Sequence, residues 1–154
     1  MTQNRPTIRD LEDNDLLKIA KEVFEAWEGD FETSDISEDD IFNAINDIGN
    51  SNGFEYAKHL ELYYSAWKID STIVEALDGI QLSLYDAKKA KEEEWVLQNN
   101  IAPLYKVGDI VSYKIGKNSI YEIDYEYAKY KINTDKENTK AIVNFEDVIE
   151  LCNA

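Results

Sequence analysis

The sequence predicts an α+β protein: an acidic bundle of about four helices, followed by an antiparallel β domain of about five short strands. Apolar residues recur at helical spacing up to about residue 100, and short Val, Ile and Tyr runs follow Pro103. The charge changes at the same place. Residues 1–100 contain 23 acidic and 9 basic side chains, whereas residues 101–154 contain 9 and 7. We therefore expect two domains, 1–100 and 103–154.

Length and composition describe a globular chain with a strong negative charge. The 154 residues have a formal net charge of -16, with 44% hydrophobic and 12% aromatic residues. That apolar content is too high for a disordered acidic tail. Many folded proteins are acidic only because mutual repulsion keeps them dispersed, so the total charge alone identifies no partner.

The first predicted helix begins near Asn14 and ends near Gly29. Thr7 and Asp10 have the spacing of a capping box, which leaves an earlier start open. Intervals of four, three and four residues place one apolar side chain after another on a single face. These apolar positions are Leu16, Ala20, Val23 and Trp27.

The second predicted helix has a clearer start. Ser37 is placed to accept a hydrogen bond from the N–H of Asp40, and residues 38–40 bring three carboxylates to the positive end of the helix dipole. Gly49 ends the helix. The apolar stripe consists of Ile41, Ala44, Ile45 and Ile48.

The segment from Asn46 to Gly53 is rich in side-chain oxygens, as calcium loops are. Placing Gly53 at the sixth loop position puts Ile48 at the first and His59 at the twelfth, where carboxylates are required. We therefore predict a turn between helices and no metal site.

The third predicted helix starts near Phe54 and carries a broad aromatic face. His59 lies within it, and a lone histidine without a second His or a Cys makes a poor metal site. We expect it at the surface or half buried. The predicted face consists of Phe54, Ala57, Leu60, Tyr63, Tyr64 and Trp67.

One long fourth helix is predicted after Asp70, a good N-cap. Its charged end, including Glu92 to Glu94, is typical of a solvated helix face. Trp95 follows that run, and we expect it to dock onto the next module. The apolar face consists of Ile73, Leu77, Ile80, Leu84 and Ala87.

Short strands separated by turn residues are predicted beyond Pro103. Residues 116–119 form the first turn, and the alternation of Tyr121, Ile123 and Tyr125 with charged residues predicts one half-buried face. The strand runs are Ile110–Ile115, Ile120–Tyr125, Tyr127–Asn133, Ala141–Val143 and Val148–Leu151.

These runs, together with the Val-Gly-Asp opening at residues 107–109, resemble an SH3-like small barrel of the KOW or Tudor type. The resemblance implies a single helical turn at Asn144–Asp147 before the last strand. Relatives bind nucleic acid, peptides or modified side chains, but this copy has no net basic surface. Under the resemblance, stacking or a recognition cage is one role for the local tyrosines, and packing is the other. They are Tyr113, Tyr125, Tyr127 and Tyr130.

Catalytic and targeting motifs are not found in the sequence. There is no phosphate-binding Gly-rich loop, zinc spacing, nucleophile elbow or Cys-His pair, and Cys152 is the only cysteine. Paired carboxylates leave a hydrolase or magnesium nuclease open, but a nuclease normally needs basic residues to hold its substrate. We therefore expect a non-enzymatic protein with no cofactor. We expect it in the cytoplasm, because no signal-peptide core or apolar run of about 18 residues appears.

The candidate partner-binding site is the densest acidic stretch, with seven carboxylates in thirteen residues and no Lys or Arg. Helix capping explains those at 38–40, whereas residues 28–35 are predicted to lie in the connection between helices. A second acidic cluster lies at Asp10, Glu12, Asp13 and Asp15. The candidate site consists of Glu28, Asp30, Glu32, Asp35, Glu38, Asp39 and Asp40.

Two functions fit these observations. One is an inhibitor that mimics DNA or RNA and blocks a basic nucleic-acid-binding protein; small acidic phage proteins that block restriction or CRISPR effectors are similar in size and charge. This reading expects no direct contact with nucleic acid or a membrane. The alternative is a structural or adaptor protein that binds its partner through the barrel. A homodimer through Tyr63, Tyr64, Trp67 and Trp95 fits either function.

Overall fold

The computed structural model describes residues 4–114, 116–134, 136 and 139–150, and it is an α+β chain with the helices first. The predictions made for Cys152 and for the strand ends at Ile115 and Leu151 lie outside these residues. Packing divides the chain into two compact units, Pro6–Lys91 and Met1–Arg5 with Glu92–Ala154, called here the helical unit and the β unit. The domain bounds 1–100 and 103–154 stay a prediction.

The described residues form five α-helices rather than about four. A 3-10 turn at Ile8–Asp10 precedes the first of them. The helices are α1 (Asp13–Ala26), α2 (Glu28–Thr33), α3 (Glu38–Ile48), α4 (Gly53–Tyr63) and α5 (Ser71–Gln98).

Local hydrogen bonds set the helix starts. The Asp40 N–H donates to the Ser37 hydroxyl at 3.1 Å and the Ser37 N–H donates to the Asp40 carboxylate at 2.9 Å, so the predicted cap of α3 is confirmed. Asp70 likewise accepts from the N–H of Ile73 at 3.1 Å and starts α5 as predicted. The spacing of Thr7 and Asp10 opens the 3-10 turn and not α1.

The short helix α2 was not predicted. The expectation that Glu28, Asp30 and Glu32 lie in a connection is wrong, because all three belong to α2. Phe31 holds this helix in place: its side chain is fully buried, and its ring stacks on Phe24 with the centroids 5.9 Å apart. A helix of six residues is too short to show a helical period in the sequence.

Helix α4 packs through only part of the predicted face: Ala57 and Leu60 are buried as predicted, but other members of that face are not. Phe54 and Tyr63 are exposed, whereas Tyr56 is fully buried and its hydroxyl donates to the carbonyl of Gly49. Gly53 brings the start of α4 close to α5, since its N–H donates to the Asp78 carboxylate at 2.6 Å. This approach sets the rotation of α4, and no local pattern in the sequence encodes it.

The helical unit is built around one apolar core. The predicted faces of α1, α3 and α5 supply much of it, and the segment between α2 and α3 adds Ile36. Its largest fully buried side chains are Phe31, Ile41, Ile45, Tyr56, Leu60, Ile73, Leu77, Ile80 and Leu84.

The β unit contains an antiparallel sheet in the order β4-β3-β2-β1-β5. Strand β1 pairs with both β2 and β5, and no ladder joins the edge strands β4 and β5 in the described part of the chain. The sheet is thus open there. Strand β2 begins inside the predicted turn at residues 116–119. The strands are β1 (Ile110–Ser112), β2 (Lys117–Asp124), β3 (Lys129–Asn133), β4 (Lys140–Asn144) and β5 (Ile149–Glu150).

A bulge in β2 changes which of its residues share a face. The register with β3 shifts between Ile120 and Glu122, which separates Tyr121 from Ile123, and Tyr125 lies beyond the end of β2, so the predicted common face of the three is wrong. Ile123 packs against the core, whereas Tyr125 is exposed. The extra residue inserted at the bulge breaks the simple alternation.

Trp95 is buried in the core of the β unit, which confirms its predicted docking and removes it from any dimer surface. Tyr130 is also fully buried, and its hydroxyl oxygen accepts hydrogen bonds from the N–H groups of Leu104 and Tyr105, both at 3.1 Å. Tyr130 is therefore a packing residue and not part of a cage. The predicted turn before β5 is present as a 3-10 turn at Phe145–Asp147.

Candidate functional site

The predicted site, residues 28–40, forms one continuous structured stretch of the helical unit, which we call the acidic segment. Glu28, Asp30 and Glu32 lie on α2, and Asp35 follows on the turn with a φ of 56°. The remaining three carboxylates occupy the first turn of α3. The short helix α2, the first turn of α3 and the turn between these helices therefore carry all seven carboxylates.

Buried side chains fix the backbone of the acidic segment. Phe31 and Ile36 are in the core, and the N–H of Ile36 donates to the carbonyl of Phe31 at 2.9 Å. Ser34 is buried as well; its carbonyl accepts from the N–H of Trp67 at 3.1 Å and its hydroxyl donates to the carbonyl of Lys68 at 3.4 Å. The carboxylates thus stand on an anchored scaffold and not on a free loop.

The seven carboxylates have very few partners. Within the part of the chain that the structure describes, none of them forms an ion pair, and only the Asp40 carboxylate accepts a hydrogen bond, from the backbone N–H of Ser37. Asp30, Glu32, Asp35 and Asp39 are exposed. Lys68, whose carbonyl accepts from Ser34, holds its ammonium over the Trp67 ring at 4.3 Å from the centroid. The segment consequently presents negative charge that its own protein does not neutralise.

The second acidic cluster differs, because two of its carboxylates, those of Asp10 and Asp15, already form hydrogen bonds or an ion pair within the protein. The Asp10 carboxylate accepts from the N–H and the hydroxyl of Thr7, which lowers the pKa of Asp10. Asp15 accepts from the N–H of Glu12 at 2.8 Å and lies 3.5 Å from the ammonium of Lys91. These carboxylates start a 3-10 turn and a helix, and they form a weaker candidate for a partner.

A buried ionic cluster in the β unit was missed by the sequence reading. Arg5 lies 3.1 Å from Glu92 and 2.6 Å from Glu146, and Lys129 lies 3.5 Å from Glu92. Glu92 is fully buried, so the expectation that it lies on a solvated face is wrong. The guanidinium also lies over the Trp95 ring, 4.9 Å from its centroid.

The cluster shifts the ionisation of its members. Burial acts against the charge of Arg5, but its hydrogen bond and attraction to Glu146 and Glu92 raise its pKa overall. Burial is the largest single effect on Glu146 and acts to raise its pKa, but the hydrogen bond from Arg5, a backbone hydrogen bond and the attraction of Arg5 and Lys129 together leave the pKa lowered. No local pattern marks Arg5 and Glu92 as partners, because 87 positions separate them.

The only histidine is part of a small polar cluster and is half buried, one of the two expected placements. His59 Nε2 lies 2.9 Å from the Asp47 carboxylate, and the Tyr64 hydroxyl donates to the same carboxylate oxygen at 2.5 Å. The hydrogen bond from Tyr64, followed by the one from His59, lowers the pKa of Asp47. This arrangement joins α3 to α4.

The described residues include no group of three or more His, Cys, Asp or Glu side chains arranged to hold a metal ion. Their helices also include none that is both long and apolar enough to cross a membrane. Comparisons with protein-family models, with curated proteins and with solved structures found no match to this chain.

Proposed function

We propose that this protein is a non-enzymatic inhibitor that occupies the nucleic-acid groove of a basic protein, with the carboxylates of the acidic segment in place of phosphates. One observation carries the proposal: the segment holds seven carboxylates on an anchored backbone, and none of them is paired with a cation in the described part of the chain. Restriction and CRISPR effectors are partners of the class that such a surface fits.

Density and rigidity are what mimicry of a nucleic acid requires. Duplex DNA carries one charge per ~1.7 Å of its axis, so a groove built for it presents closely spaced Lys and Arg side chains. A disordered acidic tail would lose conformational entropy on binding. The buried Phe31 and Ile36 hold the acidic segment in place before binding, which reduces that loss.

The test begins with the partner captured from the native host by the full chain and then purified. We expect its affinity to fall about tenfold or more when Asp30→Asn, Glu32→Gln, Asp35→Asn and Asp39→Asn are combined, since four charge contacts are lost. A short DNA duplex should compete with the wild-type protein. Binding is measured by titration calorimetry.

The matched control removes four other exposed carboxylates from the same unit. Glu55, Glu61, Glu75 and Asp86 lie on α4 and α5, outside the acidic segment. Replacing them with their amides changes the net charge equally, and we expect affinity to fall much less. Equal losses in both variants would mean that total charge, not the acidic segment, drives binding.

We further propose that the β unit is a small barrel of the SH3-like type. The order β4-β3-β2-β1-β5, with β1 between β2 and β5, and the 3-10 turn before β5 support this proposal. An adaptor function is the second candidate, because Ile110, Ile142 and Ile149 on three of its strands are all more than half exposed. Substitution of these three by Ser would abolish capture if the adaptor function is correct, and would leave it intact if the acidic segment binds.

A further inference from the structure

The helical unit contains a groove that lies outside the acidic segment. Its volume is about 890 Å³, and it is bounded by the 3-10 turn, α1, the end of α3 and α5. The floor is apolar and belongs to the core of the unit, so it is held in shape by packing. The floor and walls are formed by Ile8, Leu11, Leu16, Ile45, Ile48 and Leu84.

The charged side chains that line this groove are basic, whereas those of the unit around it are mostly acidic. The helical unit contains 20 acidic and 8 basic side chains. Yet the described residues that line the groove include Arg9 and Lys88 and no Asp or Glu. Asn46 and Asn50 add amide groups to the same rim. An apolar groove with a cationic rim is therefore placed within a strongly acidic unit.

Arg9 is available to a ligand. Its side chain is exposed, and within the described residues it forms no ion pair. The neighbouring Asp10 is engaged with Thr7 and does not line the groove. Lys88 is half buried, and its ammonium lies 5.8 Å from the centroid of the Tyr85 ring. A guanidinium fork suits a planar carboxylate, which it can bind through two parallel hydrogen bonds.

We propose that this groove binds a small amphiphile with an apolar chain and a single carboxylate head. The chain would lie on the apolar floor, and the head would reach Arg9 and Lys88 at the rim. The volume falls in the range of small-molecule sites. One negative charge matches the cationic rim, whereas the further charges of a polyanion would lie close to the surrounding acidic side chains, whose repulsion is screened only beyond about 8 Å.

Decanoate is the probe, titrated into the full-length protein labelled with ¹⁵N. We expect saturable shifts of the amide resonances of Arg9, Leu11, Asn46 and Asn50, which line the groove. Decyltrimethylammonium, with the same chain and the opposite charge, should leave them unmoved. Equal binding of the two probes, or shifts confined to other residues, would overturn the proposal.

Arg9→Ala supplies the variant, because an exposed side chain can be removed without disturbing the core. We expect it to raise the Kd for decanoate roughly tenfold through loss of a charge-assisted hydrogen bond. Lys21→Ala is the matched control: it also removes one exposed cation, 3.8 Å from Glu25, and does not line the groove. An equal effect of the two variants would overturn the proposal.

A second copy of this acidic chain is the competing occupant. Sedimentation equilibrium, which measures the oligomeric state, distinguishes binding of a second copy from binding of a small molecule. Self-association that depends on Arg9, without any response to decanoate, would assign the groove to an acidic stretch of another copy and would refute the small-molecule site. A monomer that binds decanoate supports it. The result with decanoate does not bear on the acidic segment, which shares no residue with the groove.

Discussion

In the helical unit the carboxylates of the acidic segment form no ion pair with any residue that the structure describes, whereas in the β unit Glu92 is fully buried between Arg5 and Lys129. Carboxylates thus have opposite roles in the two units. Exposed, unpaired carboxylates add little to stability and remain available for a partner. Buried, paired carboxylates are committed to the fold, because breaking such a pair leaves an uncompensated charge. Substitutions should therefore separate binding from stability.

The largest effect is expected from Arg5→Ala. Removing one partner of a buried ion pair costs about 3–5 kcal/mol, and here the hydrogen bonds to the carbonyls of Tyr127 and Ala128, both 2.8 Å, are lost as well. Urea unfolding followed by the amide resonances of the β unit measures the loss. Lys131→Ala, which breaks the more exposed pair with Glu122, is the control and should cost far less. Comparable losses would contradict the role of burial.

The next effect concerns two glycines of the helical unit. A Cβ at residue 53 would meet the Val74 carbonyl oxygen at 2.1 Å and the Asp78 backbone nitrogen at 2.8 Å, so Gly53→Ala must displace α4 from α5. We expect a loss of about 2–3 kcal/mol. Gly79→Ala, with nothing within 4 Å of its Cβ, should stabilise α5 by about 0.5–1 kcal/mol. Thermal unfolding of both variants checks the sign of each change.

Lowering the pH should reduce the folding stability of the two units through different carboxyl groups. Because the folded pKa of Glu146 is lowered, its pairing with Arg5 contributes stability above its ordinary pKa of 4.5, and that contribution is lost as the pH falls. Arg5→Ala should flatten this dependence in the β unit. Asp47 acts with the same sign in the helical unit, where Tyr64→Phe should flatten it. Unfolding curves of the two variants between about pH 6 and 3 test the assignment.

The smallest effect on stability is expected from the four substitutions in the acidic segment. Glu32→Gln and Asp35→Asn remove mutual repulsion and no ion pair, whereas Asp30→Asn and Asp39→Asn also weaken favourable interactions with the dipoles of α2 and α3. These changes oppose one another, so the urea midpoint should barely move. A clear loss of stability would show that the carboxylates are structural, which would remove the argument for a binding surface.

Much of the fold is predictable because its signals are local. Ser37 and Asp70 mark helix starts within four residues of the groups that they bind, and the apolar period of α5 extends over many turns. The position of Trp95 in the β core is also predictable, because a large apolar side chain after a charged run is expected to be buried.

The rest depends on contacts between distant positions or on short elements. The close approach of Gly53 to α5 decides which face of α4 is buried, and the pairing of Arg5 with Glu92 joins residues 87 positions apart. Helix α2 is too short for a period to show, and the bulge after Ile120 shifts a strand by one residue. The density of carboxylates at residues 28–40 is visible in the sequence, whereas the anchoring of their backbone by Phe31 and Ser34 is not.

The most direct test of the account is the salt dependence of binding to the purified partner. If the acidic segment replaces phosphates, the logarithm of the binding constant should fall steeply and linearly with the logarithm of the salt concentration. The four substitutions at Asp30, Glu32, Asp35 and Asp39 should reduce that slope, and the control at Glu55, Glu61, Glu75 and Asp86 should leave it nearly unchanged. Binding that is insensitive to salt, or equal slopes for both variants, would contradict the account.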